Sequence, residues 1–368
     1  MFRAHVPIGL PMAPPSSDLD PLLSRIPSPL SVPPMLLQPG VDSLASPTEL
    51  PPSPTFPTPI WTSARLDAQK RRRPQCIAHR GYKAAHPENT MAAFRGAVKA
   101  GAHALETDVH LTKDGIVVLS HDATLKRCFG RAEKIVDVDW NEIEGLRTIA
   151  KPHEAMPRLG ELLDYLTEPA LKDTWLLLDI KLDNDAEKVM KLIAKTLAEH
   201  PASNTNPWTS RVVLGIWAAK FLPLALKYLP AFPVMHIGFS VAYARHFFTV
   251  PNVGFNMLLP ILIAPGGKRF IADAKADKRQ VLAWTVNERD KMEWCIRRGL
   301  DGVITDDPKM FLEVEKSFDE QSKESFVPIS WKGMFDVTRI WLWIMIMFSI
   351  YKGRFLPVAS KELISRGK

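Results

Sequence analysis

The sequence predicts an α/β fold in which eight parallel strands alternate with helices and close into a TIM (β/α)8 barrel. Between residue 75 and about residue 308, short apolar runs alternate with segments of 3.6-residue periodicity. Such runs, rich in aliphatic and β-branched residues, are typical of parallel strands that helices cover on both faces. About eight of these units in about 235 residues match the size and repeat number of the barrel.

The strand candidates follow one another along the chain as a barrel requires. They are residues 76–78, 105–109, 116–119, 175–180, 212–216, 234–239, 281–286 and 302–304. Helical periodicity lies between several of them, for example over 90–100, 185–198 and 289–298. The Asp114-Gly115 step predicts a tight hairpin turn inside this scheme. Residues 255–259 are a ninth candidate, so the strand count is open by one.

The two ends of the chain depart from this pattern. Seventeen of the 32 prolines lie in residues 1–74, and proline both fixes φ and removes a backbone donor. We therefore predict a disordered proline-rich extension over 1–74 and a catalytic barrel over 75–315. A linker over 316–330 and an apolar, membrane-anchoring segment over 331–368 complete the predicted organisation.

The apolar segment is centred on residues 340–351, which carry no charge and include Trp341 and Trp343. A dozen residues make about 18 Å of helix, whereas a helix that spans a bilayer needs roughly 20 residues. The tryptophans and the basic residues on both sides favour an anchor that lies in the membrane interface. The alternative is a buried helix that covers the base of the barrel.

Composition narrows the classes of function. Three cysteines, none of them in a CxxC pair, exclude a disulfide framework and a zinc site of that kind. The net charge of +7 suits an anionic surface or substrate. The basic run at 70–73 has no interleaved aromatic residues, so we expect no nucleic-acid partner.

Polar residues concentrate at the ends of three predicted strands. The first end holds His79 and Arg80, the second holds Glu106 and Asp108, and the third holds His121. The carboxyl ends of barrel strands open onto one face, so these side chains should converge there. Imidazole titrates near neutrality, which makes the two histidines candidates for acid–base catalysis. The planar guanidinium of Arg80 matches a phosphate group.

The acidic residues predict a metal site. Glu106 and Asp108 are two residues apart, so on a strand their carboxylates point to the same side. Like charges held that close raise a pKa unless a cation lies between them. Hard oxygen ligands suit one divalent cation, Mg²⁺ or Ca²⁺. Asp179 and Lys181 share a face at the end of a further run, where the acid could complete this site and the lysine could meet a phosphate.

Two longer segments resemble the glycerophosphodiester phosphodiesterase family. They are AHRGYKAAHPENTMAAFRGAVKAGAHALETDVHLTKDGIVVLSHDATLKR and VLAWTVNERDKMEWCIRRGLDGVITDDP. The resemblance covers roughly residues 75–310 and implies the barrel of the PLC-like phosphodiesterases. Within the family, the chain has no insertion domain after His121 and has an apolar tail. In these two respects it is most similar to the fungal phospholipases C that are specific for phosphatidylglycerol.

The resemblance also implies roles for single residues. It makes His79 and His121 the catalytic pair and Glu106 and Asp108 ligands of the divalent cation. Asp179 stands where many members have a glutamate as third ligand, one methylene longer. Arg80 and Lys181 would contact the phosphate, and Trp284 would pack against the glycerol moiety. A tryptophan of the barrel core is the alternative interpretation of Trp284.

The implied activity is phosphodiester hydrolysis. One histidine would deprotonate a glycerol hydroxyl, which attacks phosphorus, and the other would protonate the departing alcohol. Together with the predicted anchor, this implies hydrolysis of phosphatidylglycerol to diacylglycerol and glycerol 3-phosphate at a membrane surface. The alternative is a phosphodiesterase that acts on glycerophosphodiesters or lysophospholipids. The resemblance further implies an intracellular, membrane-associated location, at mitochondrial or lipid-droplet membranes.

Overall fold

The computed structural model describes residues 55–321 and the single residue Leu342. The strands are β1 (Arg65–Leu66), β2 (Arg72–Arg73), β3 (Gln75–His79), β4 (Ala104–Leu111), β5 (Val117–Leu119), β6 (Trp175–Ile180), β7 (Val212–Ile216), β8 (Val234–Gly238), β9 (Gly254–Leu258), β10 (Val281–Trp284) and β11 (Gly302–Thr305). The α-helices are α1 (Met91–Ala100), α2 (Lys126–Phe129), α3 (Trp140–Ile143), α4 (Leu159–Leu166), α5 (Ala186–Glu199), α6 (Leu222–Tyr228), α7 (Val241–Ala244), α8 (Leu259–Ile263), α9 (Gly267–Ala276), α10 (Arg289–Arg297) and α11 (Pro308–Ser317).

Eight of these strands form a closed parallel barrel, which confirms the predicted fold class. The order around the barrel is β3, β4, β6, β7, β8, β9, β10 and β11. Closure comes from the parallel pairing of β11 with β3, in which Val303 lies opposite Cys76 and Thr305 opposite Ala78. All eight carboxyl ends therefore open onto one face.

The ambiguity in the strand count has a clear resolution. Residues 254–258 form β9, a full member of the barrel that pairs with β8 and β10. The candidate at 116–119 instead forms β5, which pairs antiparallel with the end of β4 outside the barrel. Gly115 has a φ of 88°, a conformation that glycine adopts without strain. The hairpin turn predicted at Asp114-Gly115 accounts for this exchange.

In most barrel strands, alternate residues belong to two different apolar clusters. The inner cluster fills the barrel and consists of Ile77, Ala104, Trp175, Leu177, Val213, Met235, Leu282 and Ile304. The outer cluster lies between strands and helices and includes Phe94 of α1, Ile193 of α5 and Phe311 of α11. This division follows from the two-residue period of a strand. It also fixes which strand-end residues point into the barrel mouth.

The start of the folded chain differs from the prediction. Residues 55–74, assigned above to the disordered extension, form a 3-10 turn at Ile60–Thr62 and the β1–β2 hairpin. Trp61 packs against Trp175 of the inner cluster with ring centroids 5.6 Å apart. The side chain of Gln75 donates hydrogen bonds of 2.7 Å to the carbonyls of Trp61 and Ser63. Apolar contact with the barrel floor thus outweighs the proline content, and this turn closes the base of the barrel.

The end of the barrel also lies beyond the predicted boundary at residue 315. Helix α11 continues to Ser317, and Phe318 is buried beneath the guanidinium groups of Arg73 and Arg297. Among the helices of residues 55–321, none is both long and apolar enough to cross a bilayer. Residues 1–54 and the predicted anchor at 340–351, apart from Leu342, lie outside the described residues.

Candidate active site

Three carboxylates meet inside the barrel mouth. Glu106 and Asp108 follow Ala104 on the inward face of β4, and Asp179 lies directly opposite Asp108 on β6. Each of the three residues offers an oxygen within 4.8 Å of the others, and all three are buried. The sequence prediction that these residues lie together is therefore met. The group could hold a metal ion.

The electrostatics of the three carboxylates fit a cation. Burial, together with the charges of Asp108 and Asp179, raises the pKa of Glu106 well above its usual range. Burial alone would also raise the pKa of Asp108, but the charges of Lys181 and Arg80 hold this pKa well below its usual range. Closely spaced carboxylate oxygens are the hard donor set that Mg²⁺ or Ca²⁺ prefers. The residues present therefore fit a divalent cation.

Two side chains fix the orientation of these carboxylates. The Nδ2 group of Asn89 donates to Asp108 Oδ2 at 2.8 Å, while Thr107 donates to Asn89 Oδ1 at 2.8 Å. The indole N–H of Trp217, which follows β7, donates to Asp179 Oδ1 at 2.6 Å. Lys181 lies between the acids, with its Nζ 2.6 Å from both Asp108 and Asp179. These contacts fix the orientations of Asp108 and Asp179, and Lys181 is a basic group that can contact a phosphate.

His79 ends β3 and faces the mouth beside Glu106, its pairing partner on β4. Its Nδ1 lies 2.6 Å from Asp306 Oδ1. Burial and the charge of Arg80 lower the pKa of His79 to about 4, against the raising effect of Asp306. The imidazole is therefore neutral at pH 7. A carboxylate only accepts, so Nδ1 carries the proton and Nε2 keeps its lone pair.

His121 lies at the same rim, on the segment that leaves the β5 hairpin. The preceding residue, Ser120, donates its N–H to the Asp108 carbonyl at 3.0 Å. His121 Nδ1 lies 2.8 Å from Asp122 Oδ1. Arg127 holds that carboxylate through Nε at 2.6 Å and Nη2 at 3.1 Å. Both histidines therefore have Nδ1 committed to an aspartate.

Arg80 is positioned by an unusual backbone. Its φ of 56° lies in the left-handed region, where a side chain is strained. This conformation lets its N–H donate to Glu106 Oε2 at 2.9 Å. The guanidinium contacts Glu88 at 2.9 Å and Asp108 at 3.2 Å. Gly81 follows, where a Cβ would lie 2.6 Å from the backbone of Ala93. The left-handed backbone conformation thus places the Arg80 guanidinium beside the predicted metal site.

Trp284 ends β10 on the inward side and lies half-buried in the mouth. Its indole N–H donates to the backbone carbonyl of Asn256 at 3.0 Å. The ring packs edge-to-face against Trp217, with centroids 5.5 Å apart. The predicted substrate contact is therefore one wall of the mouth, and a second tryptophan continues that wall.

Sequence reasoning missed several residues of this constellation. Asp306 and Asp122 hold the histidines, and Glu88 and Arg127 join the two halves of the rim. Trp217 was not identified at all. Asp122 and Glu88 lie in the polar clusters at the strand ends, and Asp306 lies two residues beyond the strand predicted at 302–304. That position was the available signal, while Arg127 and Trp217 become recognisable only from their contacts.

Comparisons with known proteins agree with this geometry. A sequence model described as the glycerophosphoryl diester phosphodiesterase family matches residues 79–310. The chain is 30% identical over 252 residues to a glycerophosphodiester phosphodiesterase of Caldanaerobacter subterraneus, covering 65% of this chain and 96% of that one. It is 28% identical over 270 residues to lysophospholipase D GDPD1 of Rattus norvegicus, covering 64% of this chain and 84% of that one.

Solved structures share the fold. A phosphodiesterase of Oleispira antarctica, in complex with the product sn-glycerol-3-phosphate, superimposes with a TM-score of 0.57 at 23% identity. The match covers 66% of this chain and 97% of that structure. At this identity the likeness establishes the barrel and its closure.

Proposed function

This chain belongs to the glycerophosphoryl diester phosphodiesterase family and is a phosphoric diester hydrolase, and we propose that it hydrolyses glycerophosphodiesters or lysophospholipids. Two curated relatives carry these two activities in their names. The observation on which the proposal rests is the convergence at one rim of three buried carboxylates with two imidazoles. Each imidazole has Nδ1 occupied by an aspartate and Nε2 left for a substrate.

We assign the proton transfers from the hydrogen bonds of both rings to their aspartates and from the lowered pKa of His79. His79 is neutral with its lone pair on Nε2, so it removes the proton from the glycerol hydroxyl next to the phosphate. That oxygen attacks phosphorus, and the bond from phosphorus to the leaving oxygen breaks. His121 donates the Nε2 proton to the departing alcohol. Water then opens the cyclic glycerol phosphate with the two roles reversed, which restores both rings.

The remaining residues bind and neutralise the phosphoryl group. Glu106, Asp108 and Asp179 would hold the divalent cation, which when bound supplies Lewis-acid polarisation of a phosphoryl oxygen. The side chains of Arg80 and Lys181 are charged and only 12% and 13% exposed beside these acids, so they can stabilise the negative charge that develops on the other oxygens. Trp284 and Trp217 offer apolar faces for the carbon skeleton of glycerol.

Hydrolysis of phosphatidylglycerol is the second candidate, favoured by the uncharged run at 340–351 with its basic flanks. The head group of this lipid has a free hydroxyl next to the phosphate, so the same chemistry would release diacylglycerol. The run would attach the chain to an intracellular membrane, mitochondrial or of lipid droplets. We rank this candidate second because two relatives carry the other activities in their names, and because the run, apart from Leu342, lies outside the described residues.

The test compares four substrates whose hydroxyl groups differ. Purified protein with Mg²⁺ or Ca²⁺ is incubated with glycerophosphocholine, lysophosphatidylcholine, phosphatidylglycerol vesicles and diacyl phosphatidylcholine vesicles, and the products are identified. We expect choline from the first two and no product from the last, which lacks a hydroxyl next to the phosphate. Diacylglycerol as the dominant product from phosphatidylglycerol would establish the second candidate instead. Equal cleavage of diacyl phosphatidylcholine would contradict the mechanism.

A further inference from the structure

Trp217 contacts three residues of the candidate site, Asp179, Lys181 and Trp284. It lies two residues beyond Gly215, which is directly opposite Asp179 in the pairing of β6 with β7. Gly215 has no side chain, and a Cβ there would lie 2.7 Å from Ile237 and 2.9 Å from the Leu178 carbonyl. Because Gly215 offers no side chain, the indole of Trp217, which follows β7, is the group that reaches the carboxylate of Asp179.

The contact is directional. The Trp217 N–H donates to one oxygen of Asp179 at 2.6 Å, and Lys181 donates to the other oxygen at 2.6 Å. Asp179 is 5% exposed, so few other partners are available to hold its short side chain. A buried carboxylate with one oxygen fixed by a donor cannot rotate freely about its last bond. The hydrogen bond thus sets the plane in which this acid presents itself to its neighbours.

The indole is itself held in place by three contacts. Trp284 packs against its ring edge-to-face at 5.5 Å, and Phe239 lies 6.0 Å away. The Lys181 ammonium lies 5.7 Å from its ring centroid, within the range of a cation–π interaction. A ring supported on several sides gives its N–H one direction, and that direction is toward Asp179.

We propose that Trp217 is a positioning residue of the cation site, which orients Asp179 for binding a divalent metal. The inference rests on the proposed function, since it assumes that the three carboxylates bind the cation. Outer groups that orient a ligand are worth about 10- to 100-fold in metal affinity. Trp217 also links the cation site to the tryptophan wall, so a single side chain supports both.

The test measures affinity for Mg²⁺ and Ca²⁺ by calorimetry on the full chain, without substrate. Trp217→Phe removes the N–H and keeps an aromatic ring, and we expect its metal affinity to fall about 10- to 100-fold. Trp208→Phe is the matched control, because its N–H donates to the His200 carbonyl at 2.6 Å and its ring lies in the outer cluster, away from the three carboxylates. Its metal affinity should stay within about twofold. Replacement of Trp217 by 3-benzothienylalanine keeps the bicyclic ring and exchanges only the N–H for sulfur, so it isolates the hydrogen bond if the phenylalanine variant folds poorly.

The outcomes separate this inference from the proposed function. Weak metal binding by both Trp217 variants, with an unchanged Tm in the presence of chelator, supports the inference. Wild-type affinity in the benzothienyl variant overturns it while leaving the phosphodiesterase proposal intact. If the wild-type chain hydrolyses its substrate in chelator and binds no cation, both the assumed metal site and the inference are wrong.

Discussion

His79 and Asp306 follow one another around the barrel mouth, on β3 and after β11, and their side chains meet at 2.6 Å. Burial alone would raise the pKa of Asp306, but the hydrogen bond from His79 and the charge of Lys83 hold it below the usual range. Asn287 donates a further hydrogen bond to the same carboxylate at 2.9 Å. The acceptor is therefore ionised and fixed, and it dictates which nitrogen of His79 carries the proton.

Replacing Asp306 by asparagine should reverse the tautomer of His79. The amide can donate to Nδ1, which places the ring proton on Nε2, where the base needs a lone pair. We expect kcat to fall by about 10²- to 10⁴-fold with a small change in KM. Steady-state kinetics on glycerophosphocholine measure both parameters.

Asp307 provides the matched control for that substitution. It caps α11 by accepting from the Met310 N–H at 3.0 Å, and asparagine is an equally good cap. Asp307→Asn should therefore keep kcat within about twofold. A kcat in Asp306→Asn above half of the wild-type value would show that His79 does not act through this pair.

Arg127 joins the two halves of the rim without lying against the carboxylates of the cation site. It makes paired hydrogen bonds to Glu88 at 2.7 and 2.8 Å and to Asp122 at 2.6 and 3.1 Å. Burial raises the pKa of Glu88, but Arg127 and Arg80 together lower it to about 2. Because lysine cannot reproduce this fork, Arg127→Lys should lose about tenfold in kcat although the charge is kept.

The control for Arg127 comes from the same loop. Arg131 pairs with Glu133 and with the Glu142 carbonyl, and these contacts do not reach either histidine. Arg131→Lys should leave kcat unchanged. Equal kinetic effects of the two substitutions would mean that the loop matters only through its folding, and the fork to Glu88 and Asp122 would lose its assigned role.

His236 makes stability depend on pH. Its fully buried ring stacks on Phe247 at 4.1 Å, and burial lowers its pKa to about 3. The unfolded chain takes up this proton near pH 6.5, whereas the folded chain takes it up only near pH 3. Stability is thus fully present above about pH 6.5 and is lost as the pH falls, by up to about 1.4 kcal/mol per pH unit from this residue.

Urea denaturation between pH 4 and pH 7 tests this dependence. His236→Phe removes the titrating group and can retain the stacking, so its free energy of unfolding should depend less steeply on pH than that of the wild type. His246 is exposed on the neighbouring turn, and His246→Phe should leave the slope as it is. Identical slopes for wild type and His236→Phe would contradict the account.

The contacts that residues 55–74 make with the barrel lead us to expect that their removal lowers the Tm. Phe56 is 1% exposed, and Trp61 packs on the inner cluster. Losing one buried aromatic side chain costs about 3–5 kcal/mol, and 1 kcal/mol corresponds to about 2–4 °C in a domain of this size. A chain that starts at residue 75 should therefore melt about 10 °C or more below one that starts at residue 55. Equal Tm values in a thermal scan would assign no structural role to residues 55–74.

The sequence predicted the barrel and the convergence of its acids because both depend on local pattern. Alternation of apolar runs and helices defines the fold class, and the two-residue spacing of Glu106 and Asp108 puts both acids on one face. The prediction failed where long-range packing determines the local structure. Nothing in the proline-rich composition of residues 55–74 indicates that Trp61 finds a partner on the barrel floor.

The supporting residues of the site were beyond local pattern for the same reason. Asp306 is 227 residues away from His79, and Trp217 is 38 residues away from Asp179. Only closure of the barrel brings β11 beside β3, and only the pairing of β6 with β7 brings the indole to the carboxylate. A strand-end position marks such residues as candidates, but their partners follow from the register.

The most direct test of the central claim is ³¹P NMR of glycerophosphocholine incubated with the purified chain. Four samples are compared: wild type with Mg²⁺ or Ca²⁺, wild type with excess chelator, His79→Ala with cation and His121→Ala with cation. We predict that the phosphodiester signal gives way to that of a phosphomonoester in the first sample only. Turnover at the wild-type rate in chelator, or in either histidine variant, would contradict the claim that the two imidazoles and the carboxylate-bound cation act together on one phosphodiester.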